Sequence, residues 1–152
     1  MARHNANRTP PQSAGPKESP AEQRSRTMRA VHSCDTTPEL AVRKLLRCLG
    51  FTSYRLHRKD LPGKPDVVFV GQRKAIFVHG CFWHGHNCPR GARVPSTNTT
   101  YWLSKIARNQ HRDVDNQAKL IQLGWSVLII WECELKNPSM LSAKILQFLS
   151  KK

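Results

Sequence analysis

Two apolar runs, DVVFV at 66–70 and AIFV at 75–78, are separated only by the polar tetrapeptide GQRK. Strand-length runs rich in β-branched and aromatic residues, joined by so short a turn, predict an antiparallel hairpin. A third such run, WSVLIIWEC at 125–133, follows a long helical stretch. There Thr99 or Thr100 is the expected cap, Leu103, Ile106, Val114, Ala118 and Ile121 share one side, and Gly124 closes the helix. Ahead of the hairpin, Thr36-x-x-Glu39 fits a capping box with Pro38 in the first turn. Leu40, Ala41, Val42, Leu45, Leu46 and Leu49 form the helical face, and Gly50 is the stop. Residues 51–60 read as a short strand entering a basic loop, LPGKP at 61–65 as a turn, and MLSAKILQFL at 140–149 as a last helix. The order α-β-β-β-α-β-α predicts an α/β domain, a mixed central sheet flanked by helices in two or three layers. Residues 1–24 hold much Pro, Ser, Ala and charge but almost no large apolar side chain, which predicts a disordered basic tail before a domain at 25–152.

The formal net charge of +15 on 152 residues points to a polyanionic partner, because each neutralised phosphate releases condensed counterions. No apolar run approaches the ~20 residues needed to cross a bilayer. Residues 1–30 lack the apolar core of a secretory signal, so a cytoplasmic protein is expected. In that setting the odd set Cys34, Cys48, Cys81, Cys88 and Cys133 favours metal binding over disulfides. Cys34 and Cys48 read as small buried hydrophobes.

The stretch FVHGCFWHGHNC, at 77–88, concentrates the chemistry. Cys81, His86 and Cys88 supply three soft donors from one loop, and Cys133, just past the third strand, is the best-placed fourth. Together they would satisfy the tetrahedral demand of structural Zn²⁺. A closed zinc site has no room for His79 or His84, which are left for catalysis or for packing beside the metal. Pro65-Asp66 places a carboxylate at the start of a strand, as in Mg²⁺-binding nucleases, although the (D/E)-x-K element expected on the next strand is replaced by Phe77-Val78-His79. A histidine titrating near neutrality can activate water in place of that lysine, and Asp113 on the long helix is one candidate to orient it. Phe82 and Trp83, with Trp102 near Lys105, fit base stacking or core packing equally well. Trp125 and Trp131 read as core.

HGCFWHGHNC, with MRAV, LPGKPDVVFV, YWLSKIARNQHRD and LGWSVLIIWEC in that order, resembles the very-short-patch repair (Vsr) DNA mismatch endonucleases from about Met28 to Leu135. The resemblance implies a restriction-endonuclease-like fold with a structural zinc site. It also implies a Mg²⁺-dependent enzyme that nicks 5′ to the thymine of a T:G mismatch left by 5-methylcytosine deamination. It assigns Asp66 and the backbone of Val78 to Mg²⁺, His84 as general base, Asp113 as its partner, and His79 and Glu39 as further active-site residues. Cys81, His86, Cys88 and Cys133 match the zinc ligands, and Phe82, Trp83 and Trp102 the aromatics that wedge into DNA. The segment around Met28 matches an N-terminal arm that reaches the DNA, and Arg29 on that arm and Lys105 beside Trp102 on the basic helix are further candidate DNA contacts. Implied partners are duplex DNA, mismatch-repair proteins and, functionally, a DNA cytosine-5 methyltransferase, with the enzyme a monomer at the bacterial nucleoid. Val78 stands where some relatives have threonine, and Gly85 and Asn87 replace histidines seen in some members. Two other readings of the same residues are a restriction-type endonuclease indifferent to mismatches and a zinc-dependent DNA-binding module without catalysis.

Overall fold

Strand alternation decides which helix covers which face of the sheet. The computed structural model describes residues 19, 21–22, 25 and 34–150. In β2 (Val67–Phe69), β3 (Lys74–His79) and β4 (Ser126–Trp131), the side chains of Val67, Phe69, Ile76 and Ile130 turn to one face. There they meet Val42 and Leu46 of α1 (Thr37–Cys48) and Leu141, Ile145 and Leu149 of α3 (Pro138–Ser150). Val68, Ala75 and Phe77 turn to the other face and pack with Leu61, Leu120 and the half-buried Trp125, Val127 and Ile129. Leu120 belongs to α2 (Thr99–Gln122), so the sheet is the middle of three layers.

The four strands run in the order β1-β2-β3-β4, with β1 at Arg55–Leu56. β2 and β3 form the expected antiparallel hairpin, with Val67 opposite Ile76. β4 lies parallel to β3, from Lys74 opposite Ser126 to His79 opposite Trp131. A parallel partner requires a crossover, which the 24-residue α2 provides. The strand expected over 51–60 shrinks to two residues, because Phe51 and Tyr54 turn edge-on to Phe69, at 6.2 and 5.8 Å, instead of extending the ladder. β4 stops at Trp131, and Glu132–Lys136 winds into a 3₁₀ turn that carries Cys133.

Several expectations of the helices are corrected. Thr36 is the N-cap of α1 but its hydroxyl does not cap the helix; it donates to Glu39 Oε1 at 2.8 Å, while Glu39 Oε2 accepts the Asp35 amide at 2.9 Å. α2 is preceded by Asn98 in a left-handed conformation, and Thr99 donates its hydroxyl to the Pro95 carbonyl at 2.8 Å rather than capping. Leu40 on α1 is exposed. On α2, Leu103, Val114 and Ile121 are 50, 64 and 62% exposed, and Ala118 also faces outward. The inward stripe of α2 is Trp102, Ile106, Asn109, Asp113, Asn116 and Leu120, at helical spacing but largely polar. Of the residues that hydrophobicity placed on the inner side, only Ile106 turns inward. Cys34 and Cys48 are exposed, not buried.

The chain divides into two units, Met1–Val31 and His32–Lys152. In the first, the Ser19 amide donates to Glu22 Oε2 at 2.8 Å. Met28 and Arg29 of the expected arm, and most of the expected tail, lie outside the described residues. Among the described residues no helix is long and apolar enough to cross a membrane.

Candidate active site

The hairpin register brings Asp66, just before β2, against the end of β3. The Val78 amide donates to Asp66 Oδ2 at 2.7 Å, which orients the carboxylate without neutralising it. Burial pushes the Asp66 carboxyl up to about 6, the Val78 amide opposes that shift, and the negative charge of Glu39 adds to it. A partly buried, oriented carboxylate with unspent negative charge fits a Mg²⁺ ligand. Glu39 belongs to the same region, 5% exposed and held by α1.

The residue after Val78 is His79, turned toward the α2 face. Its ring stacks on His84 with centroids 3.9 Å apart and planes 9° from parallel. Burial and the neighbouring His84 lower the His79 pKa to about 4, so this ring is neutral at pH 7. His84 Nδ1 lies 2.5 Å from Asp113 Oδ2 on α2, 29 positions along the chain. Asp113 thus fixes one nitrogen of the ring and leaves the other to face a reactant, the arrangement a general base needs.

Beyond His79 the chain makes the metal-type cluster. Cys81, His86, Cys88 and Cys133 each offer one donor atom, all within 4.8 Å of one another, and His86 Nδ1 is 3.5 Å from Cys133 Sγ. Donors on a tetrahedral zinc stand roughly 3.5 Å apart, so a small inward adjustment would let this group hold such an ion. Burial raises the Cys81 thiol, whereas the Gly91 amide, 3.4 Å from Cys88 Sγ, lowers that of Cys88. Gly91 permits the loop to close, since a Cβ there would stand 2.0 Å from the His86 carbonyl oxygen. Trp131, expected in the core, is half-buried between the two clusters. It stacks on His86 at 4.2 Å and meets His79 edge-on at 5.3 Å.

The aromatics gather at the N-terminal end of α2. Phe82, Trp83 and Trp102 form a mutual edge-to-face trio with centroids 5.1 to 6.0 Å apart. Phe82 and Trp83 are half-buried and Trp102 is buried. Lys105 Nζ lies 5.9 Å from the rings of both Trp83 and Tyr101, which sets a cation beside the aromatic surface. Asn109 and Gln110 were not singled out from sequence, yet they tie this loop to α2. The Asn109 amide donates to the Trp83 carbonyl at 2.9 Å and that of Gln110 to the Gly85 carbonyl at 3.3 Å. Polar residues recurring at the spacing of Trp102, Ile106 and Asp113 were the available signal.

Residues 19–90 match the family model of the DNA mismatch endonuclease Vsr. The chain is 47% identical over 128 residues to the type II nicking enzyme V.XorIIP of Xanthomonas oryzae pv. oryzae, covering 84% of this chain and 93% of the relative. It is 45% identical to the type II nicking enzyme V.NmeAIP of Neisseria meningitidis, with 77 and 82% covered. With the DNA mismatch endonuclease Vsr of Escherichia coli it shares 43% identity over 123 residues, 81% of this chain and 78% of the relative. The chain belongs to the Vsr family of DNA mismatch endonucleases.

Membership makes this Vsr-family chain a DNA endonuclease, with DNA as its substrate. Its mixed sheet between helices agrees with the restriction-endonuclease-like architecture implied by the family resemblance. Of the residues carried over from the family, the fold brings together Asp66 with Val78, His79 with His84 and Asp113, the four zinc-type donors, and Phe82, Trp83 and Trp102 with Lys105. Two residues that sequence reasoning passed over, Arg43 and His57, lie against Glu39 and Asp66.

Proposed function

We propose that this enzyme nicks duplex DNA 5′ to the thymine of a T:G mismatch arising from 5-methylcytosine deamination. The observation that carries the reading is the His84–Asp113 pair, 2.5 Å apart across 29 residues, stacked on His79, which directly follows Val78, whose amide orients the Asp66 carboxylate. In this reading Asp66 and the Val78 backbone hold Mg²⁺. When bound, the ion supplies charge stabilisation at the scissile phosphate. His84 takes the proton of the attacking water through the nitrogen that Asp113 leaves unengaged, and the neutral His79 ring holds His84 in plane.

Phe82, Trp83 and Trp102 favour a mispair because a mismatched step unstacks at lower cost than a paired one, so a wedge enters there first. Cys81, His86, Cys88 and Cys133 bind a structural zinc that holds the loop bearing both the wedge and His84. The enzyme works as a cytoplasmic monomer, in functional association with mismatch-repair proteins and a cytosine-5 methyltransferase.

The test compares nicking of T:G and T:A duplexes in one flanking sequence, in Mg²⁺, for the wild type and Asp66→Ala. The reading expects nicking of T:G alone, on the 5′ side of the thymine. Asp66→Ala should lower it on the order of 10³-fold while DNA affinity and zinc content stay unchanged. Equal cutting of T:A would instead favour a restriction-type endonuclease, and full activity in Asp66→Ala would remove the assignment of the metal site.

A further inference from the structure

Glu39 and Asp66 come from different elements, a helix N-terminus and a strand entrance, and both carry negative charge. A carboxylate that is to take a divalent ion has to be held in place before the ion arrives. The structure puts His57 between them. Its Nδ1 lies 4.0 Å from Asp66 Oδ1 and its Nε2 3.7 Å from Glu39 Oε2. The His57 amide also donates to the Asp66 carbonyl at 3.4 Å, so backbone and ring address the same residue.

Behind His57 stands a support. Arg43, 7% exposed, pairs through Nη2 with Asp35 and lies 3.4 Å from Glu39 Oε2. Asp35 Oδ1 is in turn 3.7 Å from His57 Nε2. The Asp35 amide donates to the same Oε2 of Glu39, and the Thr36 hydroxyl holds the other oxygen, Oε1.

Two features show that the arrangement is not packing for its own sake. Arg43 Nε and His57 Nε2 are buried without a hydrogen-bond partner, and such atoms cost stability. Asp35 (φ 56°), His57 (φ 46°) and Lys64 (φ 52°), all beside these carboxylates, adopt the left-handed conformation that non-glycine residues avoid.

We infer that His57 is a positioning residue that fixes Asp66, the proposed Mg²⁺ ligand, relative to Glu39, with Arg43 and Asp35 as its anchor. The ring adds to the backbone amides that already orient the two carboxylates and keeps them from drifting apart, and Arg43 keeps Asp35 and Glu39 on the His57 side. This rests on the reading of Asp66 as a Mg²⁺ ligand, but not on mismatch specificity.

The experiment uses the full chain, His57→Ala, His57→Gln and Arg43→Met. Mg²⁺ binding is titrated calorimetrically without DNA, and the Mg²⁺ dependence of single-turnover nicking of a T:G duplex is measured alongside. His57→Ala and Arg43→Met should weaken Mg²⁺ binding and raise the Mg²⁺ needed for half-maximal rate about 10- to 100-fold. In His57→Ala the Mg²⁺-free melting temperature and DNA affinity should stay near wild type, whereas Arg43→Met, which strips a buried carboxylate of its partner, should also lower the melting temperature. His57→Gln, with a donor and acceptor on a planar group, should recover most of the loss.

Wild-type Mg²⁺ dependence in His57→Ala would overturn the inference. So would a His57→Gln variant as impaired as His57→Ala, or a loss in His57→Ala matched by equal loss of Mg²⁺-free stability. Failure of the wild type to nick T:G, with its Mg²⁺ binding still sensitive to His57, would strike the proposed function and leave the inference standing. A wild type that binds no Mg²⁺ would overturn the inference and the metal site together.

Discussion

The two faces of the sheet are packed by opposite rules. Against α1 and α3, Val42, Leu46, Val67, Phe69, Ile76, Ile130, Leu141, Ile145 and Leu149 form one unbroken apolar layer. Against α2 the apolar layer ends at Phe77 and Leu120, and the same interface continues as His79, His84, Asn109 and Asp113. The first face holds the fold together. The second gives up apolar contact and gains a rigid, partly dry place for ionisable groups, with α2 acting as a beam that carries Asp113 to His84. Stability and chemistry share a sheet but not a side.

Asp113→Asn tests that division most severely. The amide nearly matches the carboxylate in size yet cannot stabilise a protonated His84. Nicking should fall on the order of 10³-fold, while the urea midpoint barely moves. A large stability loss with little loss of rate would place Asp113 in the scaffold instead.

On the opposite face, Leu46→Ala should lower stability by about 2–5 kcal/mol, read by urea unfolding, and leave the nicking rate of the remaining folded protein unchanged. Leu46 is fully buried in the apolar layer. A near-neutral result would mean that the α1 side is not the structural one.

A smaller effect comes from the ionisable groups on the second face. Burial lifts Asp66 from 3.8 to about 6, so its contribution to stability is complete below pH 3.8 and lost as pH rises through 6. Burial lowers His79 from 6.5 to about 4, so its contribution is present above pH 6.5 and lost as pH falls through 4. The two slopes oppose each other across nearly the same window. In Mg²⁺-free buffer Asp66→Asn should unmask His79, and unfolding free energy should fall by roughly 3 kcal/mol from pH 6.5 to 4. A flat profile in that variant would show that His79 is not held neutral.

The smallest change is expected at Val114→Ala. Although it is a valine on a helix, it is 64% exposed on the outer side of α2, and its loss should move stability by no more than about 0.5 kcal/mol. A cost near that of Leu46→Ala would mean that the outer side of α2 is covered.

The sequence by itself carried the hairpin, the third strand, the three helices of the 37–150 region and the four zinc-type donors. Each rests on local information: strand-length apolar runs, turn chemistry and the density of Cys and His in one loop. It also carried Asp66, His79, His84 and Asp113 as a set, through the resemblance to the Vsr family rather than through spacing. Only the tertiary structure decided the side of α2 that faces inward. Burial is a property of what packs against a helix, and here the neighbour is a loop of histidines and carbonyls that rewards Asn109 and Asp113 over Leu103 and Val114. The same reason hid His57 and Arg43. Nothing in their local sequence separates them from other basic residues, and they acquire meaning only where the chain folds Asp35, Glu39 and Asp66 around them.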